Sequence, residues 1–203
     1  LPENYPKWQL VYYYFSKFRD EEIFVYINNK LREMYRELEN RSAQCSVGII
    51  DSQSVKTTRR GGLRGIDGNK KIKGRKRHIV VDTMGNVVAN VVHTANLHDN
   101  QGASLVFQNL KENIYGIKTL YGDCGYRGKL IELAKNKYNY ELKISPKIKD
   151  MAPTRVSPKR WIVERTFAWF ENFRRLSKDF EYLLESSQAM IDLAAIRILL
   201  NKI

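Results

Sequence analysis

Cysteine is scarce: Cys45 and Cys124 are the only two in 203 residues, far apart and in no Cys-x-x-Cys or Cys/His spacing. That excludes a disulfide framework and a cysteine-rich zinc site, and both thiols are expected to be reduced. No apolar run approaches the roughly 18 residues that a membrane-spanning helix needs, and no charged-then-apolar start resembles a signal peptide. Internal repeats and low-complexity tracts are also absent. Acids are in deficit. Twenty-two Asp and Glu against 35 Lys and Arg leave a formal net charge of +13. A surplus of that size exceeds what solubility requires and points to a polyanionic partner, nucleic acid ahead of an anionic membrane. These deficits together predict a soluble cytoplasmic protein with no membrane partner. Leucine stands where an initiator methionine is expected, so an upstream part is expected to be missing.

What is present suffices for a folded core, with 43% hydrophobic and 11% aromatic residues in one domain's worth of chain. Residues 1–42 read as helical, since Ile23, Ile27, Leu31, Met34 and Leu38 recur at three- and four-residue steps and Asp20 offers an N-cap. The pattern then changes. VGIID, residues 47–51, is a short apolar run ending in an acid, and HIVVDTMGNVVANVVHT holds two β-branched runs split by a turn at Met84, Gly85 and Asn86. HDNQGASLVFQNLKEN reads as a helix, KTLYGD as a strand, GKLIELAKNKY as a helix and YELKIS as a strand. A loop with Pro146, Pro153 and Pro158 follows, then a helix from Pro158 to about Leu176 and a last one over Ser186–Lys202. The order β-β-β-α-β-α-β-α predicts an α/β domain with a mixed sheet over residues 45–203, behind an N-terminal helical segment over 1–44.

Two of the predicted strands end in an acid, Asp51 in GIID and Asp123 in LYGD. Side chains at strand ends of open α/β sheets project into the crevice where ligands gather, so parallel neighbouring strands would bring these carboxylates together. A third acid, Glu164 in RWIVERTFAWF, sits one helical turn after Arg160. Arg160 at that spacing suits a metal ligand held in its rotamer, and equally a structural ion pair. Three carboxylates in one place repel each other and are stable chiefly around a divalent cation, and hard oxygen donors select Mg²⁺ or Mn²⁺. Two such ions can activate an attacking oxygen and stabilise a leaving one at a phosphodiester.

The stretch KTTRRGGLRGIDGNKKIKGRKR, residues 56–77, holds ten Lys or Arg against one acid, Asp67, a local +9 of the chain's +13. It reads as a glycine-rich flexible loop tracking a phosphate backbone. Lys70, Lys71, Lys73, Arg75, Lys76 and Arg77 in this stretch, with Arg165, Arg174 and Arg175 farther on, are the expected DNA contacts. Asp99 reads as a helix-opening residue, Asp82 as a hairpin residue, Cys124 as a packed thiol, and Tyr12, Tyr13, Tyr14 and Phe15 as packing.

These blocks, in order, resemble the bacterial DDE transposases of the insertion-sequence-5 type, within the insertion-sequence-4-like superfamily. LPENYPKWQLVYYYFSKFRDE, IIDSQSVKTT, GNKKIKGRKRHIVVDTMGNVV, TANLHDNQGA, LYGDCGYRGKL and RWIVERTFAWFENFRRLSKDFEY carry the resemblance over nearly the whole chain. It implies a ribonuclease-H-like fold and a triad of Mg²⁺-binding carboxylates at Asp51, Asp123 and Glu164, with two ions and Mn²⁺ able to substitute. It implies cutting at transposon ends by water, then joining of the freed 3′-hydroxyl to target DNA. It also implies terminal inverted repeats and target DNA as partners, a homodimer when active and a nucleoid-associated location. Arg160 occupies the arginine of the superfamily's tyrosine, arginine, glutamate, lysine signature, a phosphate contact. The signature's tyrosine falls at Ser157 and its lysine at Glu171, and family members usually carry further helical sequence before LPENYP. Rival readings are an inactive remnant that only binds DNA, and a nuclease without strand transfer.

Overall fold

In the computed structural model, residues 4–113, 116–145 and 159–203 are described, without the side chains of residues 112 and 113. The chain runs α1 (Trp8–Asp20), α2 (Ile23–Leu38), β1 (Val47–Lys56), β2 (Gly65–Asp67), β3 (Ile72–Val81), β4 (Val87–Thr94), α3 (Asp99–Asn113), β5 (Thr119–Gly122), a 3₁₀ turn (Cys124–Tyr126), α4 (Lys129–Tyr138), β6 (Glu141–Ile144), α5 (Arg160–Glu171), α6 (Arg174–Ser177) and α7 (Leu184–Leu200).

The sheet is ordered β4-β3-β1-β5-β6, with the short β2 hydrogen-bonded to β3. β1, β3 and β4 form an antiparallel meander, while β5 and β6 lie parallel to β1. Three antiparallel strands followed by two parallel ones, with β1 central, is the ribonuclease-H-like mixed sheet. Alternation along the strands sends neighbours to opposite faces. Ile50, Val80 and Leu120 pack under α3 and α4 against Val106, Phe107, Leu110 and Ala134. Ile49, Ile79 and Val81 pack on the other face against Val163, Phe167 and Phe170 of α5 and Ile191 of α7. Burying each such side chain stabilises the fold by about 1.5–3 kcal/mol, and the sheet is thereby held rigid between two helical layers.

Residues 1–42 differ from the sequence reading. α1 ends at Asp20, which pairs with Arg19 at 2.7 Å instead of capping α2, and the second helix starts after Glu22 in the left-handed region, φ 55°. The inner stripe of α2 is Phe24, Asn28, Arg32 and Arg36, while Ile27, Met34 and Leu38 are exposed. The physical reason is hydrogen bonding. Asn28 Nδ2 and Arg32 Nη1 donate to the Val87 carbonyl at 3.0 and 3.2 Å, and Arg36 Nη1 donates to the buried Asp82 at 2.9 Å. Those polar groups at the end of β3 and the start of β4 need partners away from water, and α2 supplies them.

Candidate active site

β1 does not stop at Asp51; it continues to Lys56, so the acid lies halfway along a strand. Its neighbour still ends where the sequence suggests. The parallel register pairs Val47 with Thr119, Gly48 with Leu120 and Ile49 with Tyr121, and two further steps set Asp51 opposite Asp123, the first residue past β5. Asp51 Oδ1 accepts from the Ser52 amide at 2.7 Å, and Asp123 Oδ1 from the Gly125 amide at 2.8 Å as it caps the 3₁₀ turn. The turn can close tightly because residue 122 is glycine: a Cβ there would lie 2.8 Å from the Tyr126 ring.

Burial and, less strongly, the Asp123 carboxylate push the Asp51 carboxyl up to about 6 against the opposing pull of the Ser52 amide, Arg160 and Lys70. The Tyr126 hydroxyl is fully buried, and burial together with Asp51, Asp99 and Asp123 holds its pKa well above the ordinary phenol value. Two hard oxygen donors close enough for one carboxylate to raise the pKa of the other fit a divalent cation of the Mg²⁺ type.

Glu164 stands differently. α5 buries Ile162, Val163, Thr166, Phe167 and Phe170 against β1 and β3, leaving Glu164 exposed and ion-paired to Arg160 at 3.1 Å. Among the described residues, no group of three or more His, Cys, Asp or Glu is close enough to hold a metal ion. The structure therefore brings Asp51 and Asp123 together and leaves Glu164 with its arginine.

The register of that helix is fixed by Arg165 and Thr166. The Arg165 guanidinium lies between Trp161 and Trp169, 4.7 Å from each ring, and Nη2 donates to the Met84 carbonyl at 2.9 Å. Thr166 Oγ1 donates to the Gly85 carbonyl at 2.8 Å. Arg165, read from the sequence as a DNA contact, thus anchors α5 to the β3–β4 turn.

A larger correction concerns residues 56–77. They are no single flexible loop, because β2 and β3 run through them, and Arg75, Lys76 and Arg77 are buried inside β3. Arg75 donates to Asp179 at 3.2 Å and to the carbonyls of Leu63, Glu181 and Tyr182 at 2.9, 3.0 and 2.7 Å. Arg77 Nη1 donates to the Leu176 carbonyl at 2.7 Å. Lys76 Nζ lies 3.0 Å from Asp99 and 3.6 Å from Asp67. All three side chains are buried, unlike the exposed DNA contacts that the sequence suggests: Arg75 and Lys76 pair with acids, while Arg77 Nε and Nη2 have no hydrogen-bond partner among the described residues. Lys70, Lys71 and Lys73 are exposed, and Lys70 Nζ donates to the Ser52 carbonyl at 3.4 Å beside Asp51. Arg174 and Arg175 are exposed on α6, with Arg175 paired to Glu181. Ser157, the position of the signature tyrosine, lies outside the described residues.

The residue that sequence reasoning undervalued is Asp99. It begins α3, accepts from Ser52 Oγ at 3.0 Å and from Lys76 Nζ at 3.0 Å, and stands 3.8 Å from His78 Nε2. Burial opposes its ionisation, yet Lys76 and the Ser52 hydroxyl hold its carboxyl below the usual range. The chain Lys76–Asp99–Ser52 therefore fixes the backbone next to Asp51. Its signal in the sequence was Lys76 itself, a cation in the middle of a β-branched strand pattern, which requires an interior acid.

The family model described as the transposase DDE domain matches residues 43–199. No curated protein matches the chain. Among solved structures, the catalytic domain of Mos1 mariner transposase is similar at a TM-score of 0.41 and 10% identity, over 88% of this chain and 89% of that one. The family match begins ahead of β1, takes in Asp51, Asp123 and Glu164 and ends within α7, so the chain belongs to the transposase DDE domain family and is a DNA-cleaving transposase.

Proposed function

We propose that the chain is an insertion-sequence-5-type transposase that cuts the terminal inverted repeats of its element and transfers the 3′-hydroxyl into target DNA. Asp51, Asp123 and Glu164 are its catalytic carboxylates. The observation that carries this reading is that Asp51 on β1 stands opposite Asp123, the residue that follows the parallel strand β5, closely enough for the Asp123 carboxylate to raise the Asp51 pKa. Residues 45–203 form the catalytic domain and residues 1–44 a helical segment borne on it. The active form is a homodimer working on the bacterial nucleoid.

Asp51 and Asp123 would hold Mg²⁺, with a second ion and substitution by Mn²⁺ expected, and Glu164 joins them by giving up its contact with Arg160. Such ions, when bound, lower the pKa of an attacking water and stabilise the leaving oxygen. Around them the protein's own groups do defined work. The Ser52 and Gly125 amides orient the two aspartates. Lys70, at the mouth, attracts the phosphate without filling the site. Arg160, released from Glu164, presents its guanidinium to the phosphodiester in the two-pronged geometry that suits that group.

The test is incubation of the protein with labelled duplex bearing the element's ends, in Mg²⁺ or Mn²⁺, beside Asp123→Ala and Asp51→Asn. Nicked and joined products from wild type and neither from the variants are expected. Binding without nicking under either metal would support the DNA-binding remnant, and nicking without joined product would support a nuclease. Undiminished nicking by Asp123→Ala would remove that residue from the mechanism.

A further inference from the structure

Asp67 of the basic segment and Asp179 of the loop packed against it are turned inward. Asp67 accepts from Ser54 Oγ at 2.6 Å and faces Lys76, and Asp179 accepts from Ser187 Oγ at 2.6 Å and from Arg75. The outward cations are left uncompensated. Lys56, Arg59, Arg64, Lys71, Lys73 and Lys178 are all exposed, and among the described residues none of them forms an ion pair. With Thr57 and Thr58 they line one open cleft of about 370 Å³ that has no carboxylate in its wall. Its form is preset, since Arg64 Nη1 donates to the carbonyls of Thr58 and Arg59 at 2.9 and 3.1 Å and so closes the loop on itself.

Six like charges around one hollow repel each other unless a polyanion lies among them. The wall carries only Lys, Arg and Thr. That disfavours a lipid surface, which an interfacial segment grips with an apolar face. The cleft also lies within one strand length of the acid pair. Lys56 is five residues beyond Asp51 on the same strand, about 17 Å at about 3.3 Å per residue, which is about five base pairs of duplex. Lys70, next in sequence to Lys71 of the cleft, reaches back to Ser52 beside Asp51.

We infer that this cleft is a docking site for the phosphate backbone of duplex DNA flanking the cut, a role that deepens the catalytic reading above and rests on it. A duplex seated there reaches Asp51 and Asp123 within about one half-turn of helix.

The test compares two variants of equal charge change on the full chain. In one, Arg59, Lys71, Lys73 and Lys178 become Gln; in the other, Lys111, Lys118, Lys135 and Lys137, exposed cations of the α3, α4 and β5 side, become Gln. Binding of a random-sequence 24-base-pair duplex is followed by fluorescence anisotropy in EDTA between 50 and 200 mM salt, after circular dichroism confirms that each variant is folded. At a slope change of about 0.9 per phosphate contact, losing two or three contacts flattens the plot by about 2–3. Over that fourfold range of salt the cleft variant then loses roughly 16- to 64-fold less affinity than wild type, and the control variant behaves like wild type. Equal changes in both variants would show a general charge effect and overturn the assignment, as would an unchanged slope in the cleft variant. Loss of binding to phosphatidylserine vesicles, with duplex binding intact, would move the cleft to membranes and overturn it too. The assay reads no cleavage. Failure of metal-dependent nicking would therefore sink the catalytic reading alone, and failure of the slope test the cleft alone.

Discussion

Arg75→Met separates an interior cation from a DNA contact. The wild-type guanidinium is fully buried and satisfies Asp179 together with the carbonyls of Leu63, Glu181 and Tyr182. Methionine keeps most of the volume and removes every donor, leaving the Asp179 carboxylate buried with only Ser187 Oγ and the Glu181 amide. Breaking a buried pair from one side costs about 3–5 kcal/mol. For a chain of this size each kcal/mol shifts the midpoint by about 2–4 °C, so thermal unfolding should fall by about 6–20 °C. The assay is circular dichroism with temperature, beside the salt dependence of duplex binding at a temperature where both proteins are folded. The binding slope should match wild type, because Arg75 never meets a phosphate. A midpoint within 2 °C of wild type, combined with a slope shallower by about 0.9, would refute the interior assignment and restore Arg75 to the DNA surface.

Asp192 on α7 is buried and accepts from Asn90 Nδ2 at 2.6 Å, and burial pushes its carboxyl up to about 7. A folded-state value above the unfolded one means that the group favours the native state below its unfolded pKa and loses that contribution as pH rises through the folded value. Wild-type stability should therefore decline between about pH 4 and pH 7, by an amount of the order of 4 kcal/mol. Asp192→Asn should flatten that decline in urea titrations, and an equally steep decline in the variant would remove Asp192 as its source. At Gly85, φ is +86° and an added Cβ would lie 3.0 Å from Arg165 Nη2. Gly85→Ala should then cost about 1–2 kcal/mol in chemical denaturation, with Gly85→Asn recovering part of it; equal stability of all three would show that the turn does not need its left-handed backbone. Glu164→Gln, on the exposed face of α5, should melt within about 4 °C of wild type, since exposed ion pairs contribute about 0–1 kcal/mol. It should also abolish metal-dependent nicking. Full nicking by that variant would leave Arg160 as the only purpose of Glu164.

Short-range pattern made much of the fold legible. β-Branched runs broken at Gly85 predicted the β3–β4 hairpin, and the apolar spacing of HDNQGASLVFQNLKEN predicted α3. The misreadings share one cause, which is that charge was taken to mean surface. Arg75, Lys76 and Arg77 continue the strand of HIVV, and Arg32 and Arg36 form the inner stripe of α2. A cation within a strand pattern hints at an interior acid, but nothing local says which one, and Asp179 lies more than a hundred residues from Arg75.

By itself the sequence determined the family, the order of most elements and the acids at issue, because these depend on residue type and spacing along the chain. Only the tertiary structure decided which acids meet and which cations stay outside. Parallel pairing of β1 with β5 sets Asp51 opposite Asp123, while Glu164 is ion-paired to Arg160. Inward-turned Asp67 and Asp179 pair with Lys76 and Arg75 and leave a cleft of lysines and arginines beside them that, among the described residues, form no ion pair. Each outcome depends on a partner distant in sequence, brought near by a sheet register that no single segment encodes.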